Sequence, residues 1–126
     1  MATGLRGEAK LVVTDADTAI ALGSGTVPVL GTPRLIALCE EASCRAVAGE
    51  LPAGSTTVGI NVRIDHLQPS APGAVVIAEA VLVKVDGRRL TFTVSASDER
   101  SLVAVGKVVR VVVDVERFMT KCGKSG

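Results

Sequence analysis

Glu40 is the residue whose position in the sequence most clearly allows chemistry. The stretch from Gly31 to Ala48 has the periodicity of one amphipathic helix. Glu40 lies at the border of its apolar face, whereas Glu41 lies on the polar face and precedes Arg45 in the favourable i,i+4 order. A carboxylate partly withdrawn from water is frequent in functional sites. The alternative interpretation is a border side chain that bends out to water.

Three further residues could take part in chemistry, and each also has a structural interpretation. His66 is the single histidine of the chain and shares strand parity with apolar neighbours, so a core histidine is the alternative. Gly59 interrupts the same strand, which indicates either a close approach or a bulge. Thr32 precedes Pro33 and fits a helix N-cap. Asp65 points to the other face of the strand and is not paired with His66.

The helix has clear predicted ends. Thr32 caps the first turn, Pro33 occupies the first helical position, and Gly49 closes the helix in the left-handed conformation. Its apolar face is formed by Leu35, Leu38, Cys39, Ala42, Ser43 and Ala46, with Ile36 and Val47 at its edge.

The remaining chain is rich in β-branched residues and predicts strands. The predicted strands are Glu8 to Thr14, Thr56 to Gln68, Ala74 to Val85, Arg89 to Ser97 and Leu102 to Val115. In the second strand, the apolar face is formed by Val58, Ile60, Val62 and Ile64. The third strand is apolar almost throughout, which favours a strand whose two faces are both covered by other parts of the protein. Asp86-Gly87 predicts a type I′ hairpin turn.

The segment from Asp15 to Thr26 is predicted to be a loop with one helical turn at Ala19 to Leu22. Residues 120–126 are polar and predicted to be frayed or disordered. The order of elements is therefore a strand, a helix, and an antiparallel meander of long strands. This order predicts one α+β domain over residues 1–126, with a central helix wrapped by a curved antiparallel sheet of about five strands. One helix leaves sheet edges uncovered, which favours edge-to-edge dimerisation.

Composition excludes several classes of function. The net charge of +1 over 126 residues indicates neither a nucleic-acid-binding nor a membrane-binding surface. The three cysteines lack metal-ligand spacing, so we expect no metal and a reducing compartment. The N-terminal MATGLRGEAK has no apolar core of a signal peptide, and no run is long enough to span a bilayer. These features predict a cytoplasmic protein.

The spacing of these residues carries a resemblance to a known family. Thr32 and Glu40 form the pattern T-x(7)-E, and His66 follows 26 residues after Glu40. Three further stretches match the same pattern: Pro72-Gly73, Gly87-Arg88-Arg89-Leu90 running into Val94-Ser95-Ala96, and Val115-Glu116-Arg117-Phe118. Over roughly residues 31–121 the chain resembles the fluoroacetyl-CoA-thioesterase-like branch of the hot-dog thioesterases.

The resemblance implies an acyl-CoA thioesterase with the hot-dog fold and catalytic residues Thr32, Glu40 and His66. It implies that the backbone N–H of Gly59 faces the thioester carbonyl. Whether Glu40 is the nucleophile or the base for water stays open at this stage. Arg88 and Arg89, in the hairpin, could bind a CoA phosphate or simply be solubilising. The implied assembly is a homodimer, or a tetramer of two dimers, with no cofactor beyond the CoA of the substrate.

The residues before the helix bear on the substrate. The fluoroacetyl-specific pattern has an aromatic-containing lid there, whereas residues 22–30 contain no aromatic residue, which favours a general short-chain acyl-CoA. Two other functions fit the fold. An enoyl-CoA hydratase-like hot dog would need an Asp–His pair on one loop–helix unit, and no such pair precedes the helix. A non-catalytic protein that binds acyl-CoA or a hydrophobic ligand predicts binding without turnover.

Overall fold

A five-stranded antiparallel sheet curls around one long helix in the computed structural model, which describes residues 1–123. The strands are β1 (Arg6–Val12), β2 (Ser55–His66), β3 (Val75–Asp86), β4 (Arg89–Ser97) and β5 (Leu102–Asp114). The helices are α1 (Ala19–Leu22), α2 (Thr32–Val47) and α3 (Val115–Lys121), and short 3-10 turns occupy Asp15–Asp17 and Ala48–Glu50. The predicted α+β class and the helical turn at Ala19 to Leu22 are confirmed.

The strand order is β1-β3-β4-β5-β2, so the predicted meander holds only for β3, β4 and β5. β2 precedes β3 in the chain but pairs with β5 at the far edge of the sheet. The reason is that both sides of β3 are already occupied, by β1 and by β4. β2 is therefore an edge strand of the described chain, and the connection from residue 67 to 74 carries the chain across the sheet.

α2 packs mainly on β1 and β3 through the face that the helical pattern predicts. All six predicted core positions of α2 are buried, and Val47 is buried with them. Gly7 of β1 makes the close packing possible, because a Cβ there would overlap the backbone at Ala42 and Ala46. The backbone of α2 thus lies directly against β1.

Both predicted helix ends are wrong in detail. The N-cap is Gly31, whose carbonyl accepts the first helical hydrogen bond from the N–H of Leu35 at 3.1 Å, so Thr32 is already helical. At the other end, α2 stops at Val47 and continues as the 3-10 turn. Gly49 lies within that turn without a positive φ, because the chain tightens there rather than reversing in the left-handed conformation.

A β-bulge in β2 overturns the predicted face of this strand. The pairing passes from Gly59↔Arg110 to Asn61↔Val109, so Ile60 has no partner on β5. Thr57 is buried and Ile60 is 47% exposed, the reverse of the predicted alternation. After the bulge, Val62 and Ile64 pack against the core as predicted. The extra residue changes the parity of the strand. Odd-numbered residues such as Thr57 face inward before the bulge, and even-numbered residues such as Val62 and Ile64 face inward after it.

The β3–β4 hairpin has a different turn from the one predicted. Its two loop residues are Gly87 and Arg88, and positive φ occurs only at Gly87, at +60°. This arrangement is typical of a type II′ turn, because that turn needs a glycine at its first central position only. Asp86 remains in β3, opposite Arg89.

Two further expectations need correction. β3 alternates between buried and outward side chains, and the described chain leaves the outward Ile77 and Val83 exposed. Thr120 and Lys121 are helical rather than frayed, because Asp114 caps α3 by accepting a hydrogen bond from the N–H of Arg117. The rest of the predicted tail, residues 124–126, lies outside the described residues. Within the described part of the chain, no helix combines the length and apolarity needed to cross a membrane.

Candidate active site

The start of α2 is fixed by backbone contacts to two loops. The N–H of Gly31 donates to the carbonyl of Asp17 at 2.9 Å, and the N–H of Leu30 donates to the carbonyl of Ser70 at 2.8 Å. Arg34 adds an ion pair with Asp17 at 3.4 Å. Because residue 70 belongs to the segment that leaves β2, these contacts hold the first turn of α2 beside the end of β2.

Thr32 and His66 meet at this junction. The Thr32 Oγ1 and the His66 Nδ1 are 2.8 Å apart, a hydrogen bond between the first residue of α2 and the last residue of β2. The predicted cap role of Thr32 is wrong, since Gly31 is the N-cap and the Thr32 hydroxyl makes no cap hydrogen bond. The hydroxyl is therefore available to orient the imidazole.

The other ring nitrogen of His66 faces inward without a protein partner. Among the described residues, Nε2 is buried and makes no hydrogen bond. Burial lowers the pKa of the His66 imidazole below its ordinary value. The interaction of the ring with the backbone of Gln68 raises the pKa, but by less than burial lowers it. The ring is therefore neutral at neutral pH, and a neutral imidazole can accept or deliver a proton.

Glu40 is held by a buried arginine that the sequence analysis did not identify. The Arg110 Nη1 lies 3.0 Å from the Glu40 Oε2, with side-chain exposures of 9% for Arg110 and 34% for Glu40. The same guanidinium donates to the hydroxyl of Thr57 at 2.9 Å and to its carbonyl at 3.0 Å. Glu40 thus occupies the border of the apolar face because a cation of β5 meets it there.

Gly59 is next to this ion pair and leaves the space that Glu40 occupies. A Cβ at position 59 would lie 2.6 Å from the Glu40 Oε2 and 3.3 Å from the Arg110 Nη1. Both sequence interpretations of Gly59 hold, since it lies at the bulge and at a close approach. We refer to Glu40, Arg110, Thr57 and Gly59 as the carboxylate cluster.

The structure thus forms two groups from the predicted residues: the Thr32–His66 pair and the carboxylate cluster. They are not in contact within one chain. Glu40 lies eight positions after Thr32 in α2, a rise of about 12 Å along the helix. Arg88 and Arg89 belong to neither group, because they are exposed at the β3–β4 hairpin. Asp65 is exposed and is not hydrogen-bonded to His66 among the described residues.

A signal for Arg110 is present in the sequence. It is a single cation in the run Val108 to Val113 and shares strand parity with Val108 and Val112. A charge on the inward face of an apolar strand requires a partner, and a border carboxylate on the facing helix is a natural one. In the described chain, no group of three His, Cys, Asp or Glu side chains is arranged to hold a metal ion.

The fold defines the class to which this protein belongs, and its sequence relatives define the family. The five-stranded sheet around the long helix is the hot-dog fold. A hot-dog-like protein from Thermanaerovibrio acidaminovorans superposes with a TM-score of 0.88 over 96% of this chain and 90% of its own, at 22% identity. A thioesterase superfamily member from Thermus thermophilus superposes with a TM-score of 0.90 over 97% and 90% of the two chains, at 24% identity.

The family model described as fluoroacetyl-CoA-specific thioesterase matches residues 13–116. The fluoroacetyl-CoA thioesterase of Streptantibioticus cattleyicolor is 34% identical over 93 residues, which cover 74% of this chain and 67% of that protein. A solved structure of the fluoroacetyl-CoA thioesterase FlK superposes with a TM-score of 0.92 and 30% identity, covering 98% of this chain and 96% of that one. The chain belongs to the fluoroacetyl-CoA-specific thioesterase family, which confirms the resemblance found in the sequence.

Replacing Arg110 by methionine tests the link between helix and sheet. Arg110→Met keeps the length of the side chain but leaves the oxygens of Thr57 and Glu40 without their donor. We expect the free energy of unfolding to fall by about 1 to 3 kcal/mol. Arg34→Met is the matched control. It should cost below about 1 kcal/mol, because the Arg34 side chain is 31% exposed against 9% for Arg110 and its ion pair is longer, at 3.4 Å against 3.0 Å. Urea denaturation of both variants measures this difference, and equal losses would contradict a special role for Arg110.

Adding one methyl group at Gly59 tests the space around Glu40. Gly59→Ala places a Cβ against the Glu40 carboxylate and should displace it from Arg110. If the Glu40 carboxylate takes part in the reaction, thioester turnover should fall by about tenfold or more, because small displacements of a positioned group are costly. Gly49→Ala is the control, since a Cβ there meets no atom within 4 Å. Unchanged turnover in folded Gly59→Ala would show that the close approach has no part in catalysis.

Proposed function

We propose that this acyl-CoA thioesterase hydrolyses short-chain acyl-CoA thioesters with Thr32, Glu40 and His66 as its catalytic residues. The observation that carries the proposal is the pairing of each reactive group with an orienting partner. Arg110 holds the Glu40 carboxylate, and Thr32 holds the His66 imidazole. Thioester hydrolysis needs a nucleophile or an activated water, a proton carrier and a donor for the developing oxyanion.

Each residue has a defined role in this proposal. Glu40 supplies the carboxylate beside the thioester carbonyl, and the backbone N–H of Gly59 is the donor to the carbonyl oxygen. If Glu40 is the nucleophile, neutral His66 takes a proton from the water that hydrolyses the acyl-enzyme anhydride and passes it to the thiolate. If Glu40 is the base, the carboxylate takes the proton of the attacking water, and the thiolate receives a proton by way of His66. Glu40 acts either as the nucleophile or as the base for water. A single turnover in ¹⁸O-labelled water that labels Glu40 instead of the product identifies a glutamate nucleophile whose own carboxyl carbon is attacked by water. Trapping of the acyl-enzyme anhydride by hydroxylamine detects a nucleophile when water attacks the acyl carbon instead.

The separation of the two groups supports a site built from two chains. A thioester carbonyl cannot touch both Glu40 and His66 of one chain when α2 places their groups about 12 Å apart. Both groups lie along β2, an edge strand that can pair with a second copy. In a two-fold dimer joined through β2, Glu40 of one chain would face His66 of the partner subunit. The proposed assembly is therefore a homodimer whose site lies at the interface.

The surroundings of His66 favour a small apolar acyl group. A shallow cavity of about 220 Å³ lies beside it and is lined by Val29, Leu67, Gln68 and Pro69. Val29 and Leu67 offer apolar contacts to an acyl chain, and the shallow shape favours a short one. Since residues 22–30 contain no aromatic side chain, we place the substrate among general short-chain acyl-CoAs rather than fluoroacetyl-CoA alone.

The proposal also covers the cofactor requirement, the cellular compartment and the contacts with CoA. The chemistry described needs no cofactor or metal, and CoA enters only as part of the substrate. The cysteines Cys39, Cys44 and Cys122 are free thiols, which is consistent with one domain that works in the reducing cytoplasm. Arg89, at the hairpin, is proposed as an accessory contact for CoA.

Release of CoA thiol from a panel of acyl-CoAs tests the proposal directly. We expect turnover of short-chain substrates by the wild type, and a loss of at least about 10²-fold in Glu40→Gln and in His66→Ala. Glu41→Gln, one residue away on the polar face of α2, is the matched control and should keep full activity. Turnover that both site variants retain would remove the assignment of the site. Binding of acyl-CoA without turnover by the folded wild type would instead support the non-catalytic function.

Mixed dimers test whether the site combines two chains. A dimer of one Glu40→Gln chain and one His66→Ala chain can be purified through two different tags. One of its two sites then has both Glu40 and His66, and the other has neither, so we expect about half of the wild-type rate. The reciprocal dimer pairs a wild-type chain with a chain carrying both substitutions. It should be inactive, because each of its sites then lacks one residue. Activity in the reciprocal dimer and none in the first would place the whole site within a single chain.

A further inference from the structure

A second cleft lies at the end of the sheet where β5 continues into α3. It has a volume of about 200 Å³ and is lined by Arg88, Val113, Asp114, Arg117, Phe118 and Lys121. The cleft joins the β3–β4 hairpin to α3, two elements far apart in the sequence. None of its residues belongs to the Thr32–His66 pair or to the carboxylate cluster.

The charge of the cleft is strongly positive. Arg88, Arg117 and Lys121 contribute three cations, and none of them forms an ion pair with a carboxylate in the described part of the chain. The single carboxylate, Asp114, already accepts a hydrogen bond of 2.9 Å from the N–H of Arg117 as the cap of α3. Unpaired guanidinium and ammonium groups around one cavity favour an anion with several oxygens, and phosphate fits them best.

An aromatic ring lines the same cleft. Phe118 is 39% exposed, whereas Phe92, the other phenylalanine of this 126-residue chain, is fully buried. An exposed aromatic ring beside unpaired cations offers a surface on which a nucleobase can stack. The combination points to a phosphorylated nucleoside rather than to inorganic phosphate.

The position of the cleft relates it to the proposed catalytic site. Asp114 lies four residues after Arg110 on β5, a distance of about 13 Å along the strand, and Arg110 holds Glu40. The pantetheine arm that connects the thioester of an acyl-CoA to its nucleotide is longer than this when extended. One acyl-CoA can therefore span from Glu40 to the cleft.

We propose that this cleft binds the phosphorylated adenosine of CoA. Arg88, Arg117 and Lys121 hold the phosphates, and Phe118 stacks on the adenine. This inference rests on the proposed thioesterase function, which supplies CoA as the ligand. It goes beyond that function because it assigns the main nucleotide contacts to α3 as well as to the hairpin. Arg89 does not line the cleft.

The first measurement is the binding of adenosine 3′,5′-bisphosphate, which contains the nucleotide end of CoA without the thioester. Calorimetry on the intact chain should show binding that weakens with added salt. We expect the affinity to fall about threefold or more in Arg117→Ala and in Phe118→Leu, and further when Lys121→Ala is added to Arg117→Ala. Lys10→Ala removes an exposed cation from β1, at the other edge of the sheet, and serves as the charge-matched control that should bind as the wild type does.

The second measurement compares two substrates with the same acyl group, the CoA thioester and the pantetheine thioester, which lacks the nucleotide. We expect the ratio of their kcat/KM values to fall by the same factor as the bisphosphate affinity in each cleft variant. A ratio that stays constant would show that the cleft is no part of the substrate site. Equal binding of the bisphosphate by the wild type and all variants would overturn the proposal outright.

Two further outcomes are informative. Inorganic phosphate that competes as well as the bisphosphate does would show a general anion site and refute the role of Phe118. If no thioester is turned over by the wild type, the proposed function fails, whereas the calorimetric measurement still decides on the cleft independently.

Discussion

A single buried guanidinium connects the helix of this protein to the edge of its sheet. α2 packs mainly on β1 and β3 and makes much less contact with β2 and β5. Arg110 fills this gap by bonding Thr57 on β2 and Glu40 on α2 at the same time. An arginine in this position needs all its partners, since an unpaired buried cation is costly. The position of Glu40 is therefore a consequence of how Arg110 satisfies its hydrogen bonds.

The bulge at residues 59–61 makes this arrangement compatible with a continuous strand. Before the bulge, Thr57 and Gly59 face Arg110 and Glu40; after it, Val62, Ile64 and His66 face the core and the start of α2. A regular strand would keep one parity, and either the carboxylate cluster or the histidine would then point outward. One extra residue in β2 thus allows both groups to lie on the inner face of the sheet.

Much of the fold could be predicted from the sequence. Periodicity identified the buried face of α2, and all five strands lie within about two residues of their predicted ends. β2 crosses the sheet because β3 has neighbours on both sides, and pairing of this kind leaves no local trace in the sequence. Gly59 did indicate a possible bulge, but nothing in the pattern showed that the bulge reverses the alternation of the strand. Thr32 shows the limit most clearly. A threonine before a proline fits a cap, but its hydroxyl contacts His66, which lies 34 positions further along the chain. The spacing of Thr32, Glu40 and His66 identified the family. The place of Arg110 in an apolar run indicated a buried cation, but only the paired strands show that it meets both Glu40 and Thr57.

The close packing of α2 on β1 at Gly7 limits how the substrate range of this enzyme can evolve. Since the backbones there leave no room for a Cβ, larger side chains on the packed side of α2 would separate helix from sheet, and smaller ones would only open voids in the core. The cavity that we propose for the acyl group lies beside His66, and its Val29 and Leu67 lie on loops that can change length and sequence at little cost to stability. Selection can adjust the pocket there while the scaffold stays constant, so relatives with different substrates should differ in these loops and share the packed side of the helix.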